Sequence, residues 1–160
     1  MKVIIFDAGP LINLSTNSLL YVLEELRKKF NGKFIISKQV KYEVIDHPLK
    51  IKRFELGAIR IQTLLEKGIL DLPESLNVSD SEINAKTLEF MEKANHLIEI
   101  KGQWVHIVSD AEMSCLALSS ILAERGIETM IAIDERTTRI LSEKPENLEH
   151  MMSEKLHNRV

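Results

Sequence analysis

Residues 1–14 read MKVIIFDAGPLINL. Val3, Ile4, Ile5 and Phe6 form an unbroken apolar run, which marks a strand covered on both faces, as in a parallel sheet. Asp7 follows at once, so the strand ends in a carboxylate at its C-terminal edge. A buried carboxylate is costly unless a cation or hydrogen-bond donors meet it. What meets Asp7 decides what this edge does.

Strand-like and helix-like segments alternate downstream. Pro10 can start a helix, and Leu11, Leu14, Leu19, Val22, Leu23 and Leu26 keep one apolar face, so a single helix is expected over residues 10–30, stopped by Asn31-Gly32. KFIIS (33–37) reads as a second strand. Ser37 is the N-cap expected for a helix over residues 38–46, which His47-Pro48 stops. Another helix is expected over residues 49–67, ended by Gly68, and then ILDLP (69–73) as a short strand. Residues 79–100 are amphipathic and helical, and QWVHIVSD (103–110) adds a brief extended piece. Residues 109–126 form a more apolar helix closed by Gly126. ETMIAID (128–134) is a strand with another acid at its end, and residues 135–143 and 146–156 read as helices. This alternation predicts an α/β fold in three α/β/α layers with a mainly parallel central sheet. The expectation is one domain over residues 1–160, with a longer helical middle section at about 48–103 and a C-terminal helical tail.

A chain of 160 residues with 44% hydrophobic and 28% charged residues is long enough for a proper core and has a soluble composition. No apolar run reaches membrane-spanning length and no basic segment precedes an apolar one, so no membrane partner and no signal peptide are expected. One cysteine cannot form an internal disulfide, which points to a reducing cytoplasm. The net charge of −3 excludes a surface that is basic overall, so nucleic-acid contact has to come from a local patch or from bound cations.

Ligands in open α/β sheets bind outside the carboxyl ends of the strands. Asp7 and Asp134 both reach that edge. Glu112 lies in the first turn of the helix at 109–126, and Glu43 lies inside the helix after the second strand. If the strands are adjacent and parallel, these four acids converge. Converging carboxylates stay ionised together only beside a cation. Oxygen-only ligands favour Mg²⁺ or Mn²⁺ over zinc, and no His-x-x-x-His or Cys-x-x-Cys pair offers a softer site. Carboxylate-bound magnesium most often serves phosphoryl chemistry, which gives a metal-dependent phosphodiesterase or phosphatase.

Each acid also has a plainer reading. Ser109-Asp110-Ala111-Glu112 is a capping box, and Ser79-Asp80-Ser81-Glu82 repeats the pattern. Glu43 would by default be solvated or paired with a lysine, and Asp7 and Asp134 could be helix N-caps. His47, His96, His106, His150 and His157 are scattered and read as structural or surface residues, and Cys115 as a core residue. Met151, Met152 and Leu156 form an apolar stripe suited to tail packing or to a subunit contact, the basis for a homodimer. Arg136 and Arg139 follow Asp134 and could hold phosphate.

With these residues assembled, VIIFDAGPLINL, SKQVKYEV, SDAEMSCLAL and IAIDERTTR give a chain that resembles a PIN domain, the metal-dependent ribonuclease fold of VapC-type toxins and RNA-processing endonucleases. The resemblance runs through nearly the whole chain. It implies an acidic cluster of Asp7, Glu43, Glu112 and Asp134, with Asp110 the alternative third acid. Asp7, Glu112 or Asp110, and Asp134 would hold Mg²⁺ or Mn²⁺. It further implies Asn13 as a polar support for the first acid, Glu135 as a group beside the site, and Arg136 or Arg139 on the phosphate. The function implied is an endoribonuclease that cleaves RNA by metal-activated water, including the toxin form with an antitoxin protein as partner. A non-catalytic PIN module that binds RNA or protein is the alternative. The section from Pro48 to Gln103 is longer and more charged than in compact toxins. IIFDAG is also similar to the opening of haloacid dehalogenases, in which a second Asp follows two residues after the first; here Gly9 stands there, so that phosphatase reading lacks its general acid.

Overall fold

The computed structural model of the chain describes residues 1–97, 99–100, 103–105 and 107–156; His106 and His157 lie outside them, as does the side chain of Leu156. Strand β1 (Lys2–Phe6) is the centre of a three-stranded sheet, with β2 (Gly32–Ile35) on one side and β5 (Glu128–Ala132) on the other. Both pairings are parallel, with Ile4 opposite Phe34 and opposite Met130. Val3 and Ile5 share one wholly buried face of this central strand, and Ile4, partly buried, and Phe6, at 7%, lie on the other, so the run needs no polar alternation. β5 is an edge strand and only half-buried, so Asp134 follows an edge strand rather than the fully buried one expected.

The remaining elements, in chain order, are helices α1 (Ala8–Thr16), α2 (Tyr21–Lys29), α3 (Lys38–Lys41), α4 (Lys52–Glu66) and α5 (Asp80–Asn95), the short strands β3 (Glu99–Ile100) and β4 (Gln103–Trp104), and helices α6 (Asp110–Glu124), α7 (Arg136–Glu143) and α8 (Leu148–Leu156). These flank the sheet as an α/β protein. The single helix expected over residues 10–30 is instead two, because Ser18 takes a left-handed φ of 58° and the carbonyls of Asn13, Leu14 and Ser15 receive the amides of the turn. The strand expected at residues 69–73 shrinks to one bridge. Asp71 alone exchanges backbone bonds with the β2 side, its N–H donating to Phe34 O at 2.8 Å and its carbonyl accepting from Ile36 N at 3.1 Å. After α3 the backbone widens into a π-turn over Tyr42–Asp46, and α4 begins only after a 3₁₀ turn at Pro48–Lys50.

Helix α6 runs through the centre. Ala111, Ser114, Cys115, Ala117, Leu118, Ile121 and Leu122 are all buried, which needs a neighbour on two sides: the sheet on one and α5 on the other. Truncating a wholly buried leucine such as Leu118 to alanine costs about 2–5 kcal/mol. Gly126 ends the helix with φ +72°, a backbone shape for which glycine has no steric penalty. A second apolar cluster joins Met91 and Ala94 of α5, Met113 of α6, and Leu148, Met151 and Met152 of the tail. Met151 and Met152 of the apolar stripe therefore pack within the chain.

Among the described residues no helix is long and apolar enough to cross a membrane.

Candidate functional site

The in-register pairing of Phe6 with Ala132 brings the ends of β1 and β5 level, and Asp7 N–H extends the ladder by donating to Ala132 O at 3.0 Å. Asp7 and Asp134 thus share one edge. Asp7 is the N-cap residue of α1 but makes no standard side-chain cap bond, and among the described residues its only donors are the amides of the first two helical residues, Ala8 and Gly9. It is 5% exposed. Burial pushes its carboxyl above the ordinary range, the amides of Ala8 and Gly9 oppose that rise, and Glu112 and Asp134 add to it. The charged neighbours that act on Asp7 are both acids.

Asp134 is held from two directions. Asn13 Nδ2 donates to its Oδ2 at 2.7 Å, so Asn13 supports the last acid of the cluster and not the first, as the resemblance implied. Gly9 lies directly beneath it. A Cβ on Gly9 would fall inside the Asp134 carboxylate, 2.6 Å from its Cγ, so the residue after Ala8 has to be glycine for the acid to sit there. Nothing in the sequence pattern singled out Gly9 for this role; the only signal is a glycine as the second residue of a helix.

Glu112 closes a full capping box. Ser109 Oγ accepts from Glu112 N at 3.3 Å, and Ser109 N donates to Glu112 Oε2 at 2.9 Å. The same Oε2 accepts from Thr138 Oγ1 at 3.0 Å, a bond the sequence did not reveal. Among the described residues Oε1 has no hydrogen-bond donor. Capping and a place in the cluster are therefore compatible. Asp110, one residue into α6, is exposed and bears on Glu43 rather than on Asp7, so Glu112 is the third acid that faces the buried carboxylate.

Glu43 lies on the π-turn, exposed as its plain reading had it, and near enough to the same acids to feel their charge. Partial burial raises its carboxyl, and Asp7, Glu112 and Asp110 raise it further. Among the described residues the lysine pairing expected for it by default does not form. Lys41 binds Asp46 at 2.6 and 2.8 Å, and Lys38 binds Glu74 and Asp80. A buried serine pair fixes this corner of the fold. Ser114 donates its only hydroxyl hydrogen to Ala111 O at 2.6 Å, so Ser37 is the donor in the 2.7 Å bond between the two hydroxyls, while accepting from Val40 N. That locks the start of α6, carrying Glu112, to the start of α3, which leads to Glu43. Cys115 lies wholly buried beneath the acids, its thiol pushed well up by burial and by Asp7, as expected of a core residue.

Glu135 is a helix cap, accepting from Thr138 N at 2.7 Å and from Thr137 Oγ1 at 2.8 Å. Arg139 leans along its own helix to Glu143 at 3.7 Å, both side chains more than half exposed. Arg136 is exposed at the start of α7 and makes no ion pair among the described residues. The starts of three helices, α1, α6 and α7, at this edge add partial positive charge where the acids gather.

The donor chemistry suits a hard cation: oxygen ligands only, with one buried carboxylate in need of compensation. Among the described residues, however, no three Asp, Glu, His or Cys side chains stand close enough to hold one ion directly. Mg²⁺ tolerates this, since it keeps several waters and takes one or two carboxylates. The chain matches no protein-family model, no curated protein and no solved structure.

Proposed function

We propose that the chain is a Mg²⁺- or Mn²⁺-dependent endoribonuclease of the PIN type, with its helices and sheet in three α/β/α layers. One observation carries this reading: a buried carboxylate, Asp7, whose charged neighbours are acids, in a chain whose lysines are drawn to other acids nearby. Asp7, Glu112 and Asp134 would hold the ion, directly or through water, with Glu43 completing the negative pocket and Asp110 at its rim. When bound, the ion supplies the positive charge that lowers the pKa of water and offsets charge developing on the phosphate. The chain's own groups do the rest. Asn13 and Gly9 fix where Asp134 stands, Ser109 and Thr138 fix Glu112 by one oxygen, and the exposed Arg136 orients a phosphate.

The toxin form of this reading adds an antitoxin protein as partner. The homodimer stays part of this reading, although Met151 and Met152 of its stripe pack on the chain's own α5 and α6.

A second reading, a non-catalytic module that binds RNA or protein, draws on the spacing of the acids and on the service of Glu112 as a cap. Two measurements separate them. Labelled RNA is incubated with Mn²⁺ and either the unsubstituted chain or Asp7→Asn; the nuclease reading expects cleavage by the first and none by the second, with matching circular dichroism. Titration calorimetry with Mn²⁺ expects heat that disappears in Asp7→Asn. Full cleavage by the variant, or heat that ignores the acids, overturns the assignment.

A further inference from the structure

A cleft of about 590 Å³ opens beside Glu43, walled by α1, the π-turn and α4. Its floor is apolar, but its rim is not. Arg53 and Arg60 line it, seven residues apart on α4, with Gly57 between them on the same face. Neither arginine has an ion pair among the described residues. Phe54 stands half exposed on the same wall, with the Arg53 guanidinium 5.5 Å from its ring centre. Gly57 lets α1 come close: its carbonyl accepts from Ser15 Oγ at 3.3 Å, and a Cβ there would sit 3.1 Å from that hydroxyl. Past this crossing a second cleft of about 400 Å³ continues, sharing Ser15 and Arg60 with the first and ending at the exposed ring of Tyr21.

We infer that this pair of clefts is the track for a single-stranded RNA segment flanking the cleaved bond, with Arg53 and Arg60 on its phosphates and Phe54 as a stacking platform for a base. The inference rests on the nuclease reading and deepens it. Unpaired arginines spaced along a groove, with an exposed aromatic ring between apolar walls, are what a single strand recognises: every base has a face to stack and every nucleotide a phosphate. A duplex hides its bases and cannot use Phe54 in this way. In a chain of acidic net charge, phosphate contact needs a local source of cations, and Arg53 and Arg60 supply one in this groove. An apolar floor also suits a helix of a partner protein, but such a partner gives the two arginines no preference for phosphate.

The test is fluorescence anisotropy with a labelled single-stranded RNA of about 12 nucleotides, in EDTA so that binding is read without cleavage. Arg53→Ala/Arg60→Ala changes two exposed helix positions to the best helix former, so the fold is kept. This variant is expected to bind about tenfold or more weakly, and the slope of log affinity against log salt becomes shallower by about 1.4, or 0.7 for each phosphate that is no longer neutralised. Phe54→Ala is expected to weaken binding by about fivefold or more with the salt slope unchanged. A duplex of the same sequence is expected to bind more weakly than the single strand and to ignore Phe54→Ala. In cleavage with Mn²⁺ the groove variants raise KM and leave kcat, since they lie away from the reacting atoms. Unchanged affinity and salt slope in the double variant, while the unsubstituted chain still cleaves RNA, overturns the track, leaves the groove to a protein partner, and spares the nuclease reading. An unsubstituted chain that neither binds nor cleaves RNA overturns both.

Discussion

Helices α5 and α6 open on nearly the same four residues, Ser79-Asp80-Ser81-Glu82 and Ser109-Asp110-Ala111-Glu112. In each, the serine Oγ accepts from the glutamate N–H at 3.3 Å. There the likeness ends. Both oxygens of Glu82 accept from one guanidinium nitrogen, Arg125 Nη2, at 2.7 and 2.8 Å, and Asp80 takes Lys38. Glu112 takes only neutral donors, Ser109 N and Thr138 Oγ1, and faces Asp7 and Glu43. A capping pattern says where a helix begins. The charge of what surrounds the glutamate says what else it is for, and at α6 that charge is uncompensated.

Swapping the two glutamates for glutamine breaks the comparison where it matters most. Glu112→Gln keeps the cap, since glutamine serves the box equally, but removes a charge from the cluster. RNA cleavage is expected to fall by about 100-fold or more, the scale of losing one preorganised electrostatic group. Glu82→Gln is expected to leave cleavage unchanged. Stability goes the other way: Glu82→Gln loses about 0.2–1 kcal/mol in urea unfolding, a small figure because both partners are about a third or more exposed and solvent screens them. Equal effects of the two substitutions on cleavage would erase the distinction.

Gly9→Ala gives the next largest effect. Its methyl would occupy the place of the Asp134 carboxylate, so the acid has to move while the rest of the sheet keeps its register. Cleavage is expected to drop by about 10- to 100-fold, as when a ligand's support is removed, with the far-ultraviolet dichroism unchanged. Asn13→Ala removes one bond to the same carboxylate and sits at the low end, about tenfold. Cleavage by Gly9→Ala at the unsubstituted rate would mean that Asp134 has no fixed part in the chemistry.

The main line of this architecture was legible from residue order. Two apolar runs ending near Asp7 and Asp134 read as parallel strands and put both acids at one edge, although only the first is the covered strand that its apolar run suggests. Ser37, Ser79 and Ser109 announced helix starts that the structure has, because an N-cap is a local interaction. Other features are not local. Ser18 breaks the first helix by a positive φ, a shape its residue type does not signal. ILDLP has strand chemistry, but only Asp71 pairs with the sheet while the amides of Ile69 and Leu70 go to Leu64 O of α4, and a strand exists only through strand partners. Asn13 and Asp134 are 121 residues apart in sequence, so no spacing rule could assign that bond, and the place of Gly9 under the same carboxylate is equally a fact of packing. Glu43 looked like a solvated acid among lysines, and it is exposed; what the sequence did not show is that those lysines pair with Glu74, Asp80 and Asp46 instead.

The smallest effect is in stability against pH, and it separates the same two regions by sign. Burial and acid neighbours lift the Asp7 carboxyl, and Glu43 is lifted likewise. A raised carboxyl binds its proton more tightly in the folded chain, so its contribution to stability is full below the ordinary carboxylate range and is lost as pH rises through the folded value. Glu74 shows the opposite: the hydrogen bond from Lys38 lowers its carboxyl, so its contribution is present above the ordinary range and is lost as pH falls through the folded value. In metal-free thermal melts Asp7→Asn is therefore expected to be more stable than the unsubstituted chain at neutral pH, with the advantage vanishing in acid. Glu74→Gln is expected to be less stable at neutral pH and to match it in acid. Mn²⁺ at neutral pH then raises the melting temperature of the unsubstituted chain and not that of Asp7→Asn, because only an ionised Asp7 gains from the cation. Parallel pH curves for the unsubstituted chain and Asp7→Asn would mean that something other than acids meets this carboxylate, and the case for a cation at the sheet edge would go with them.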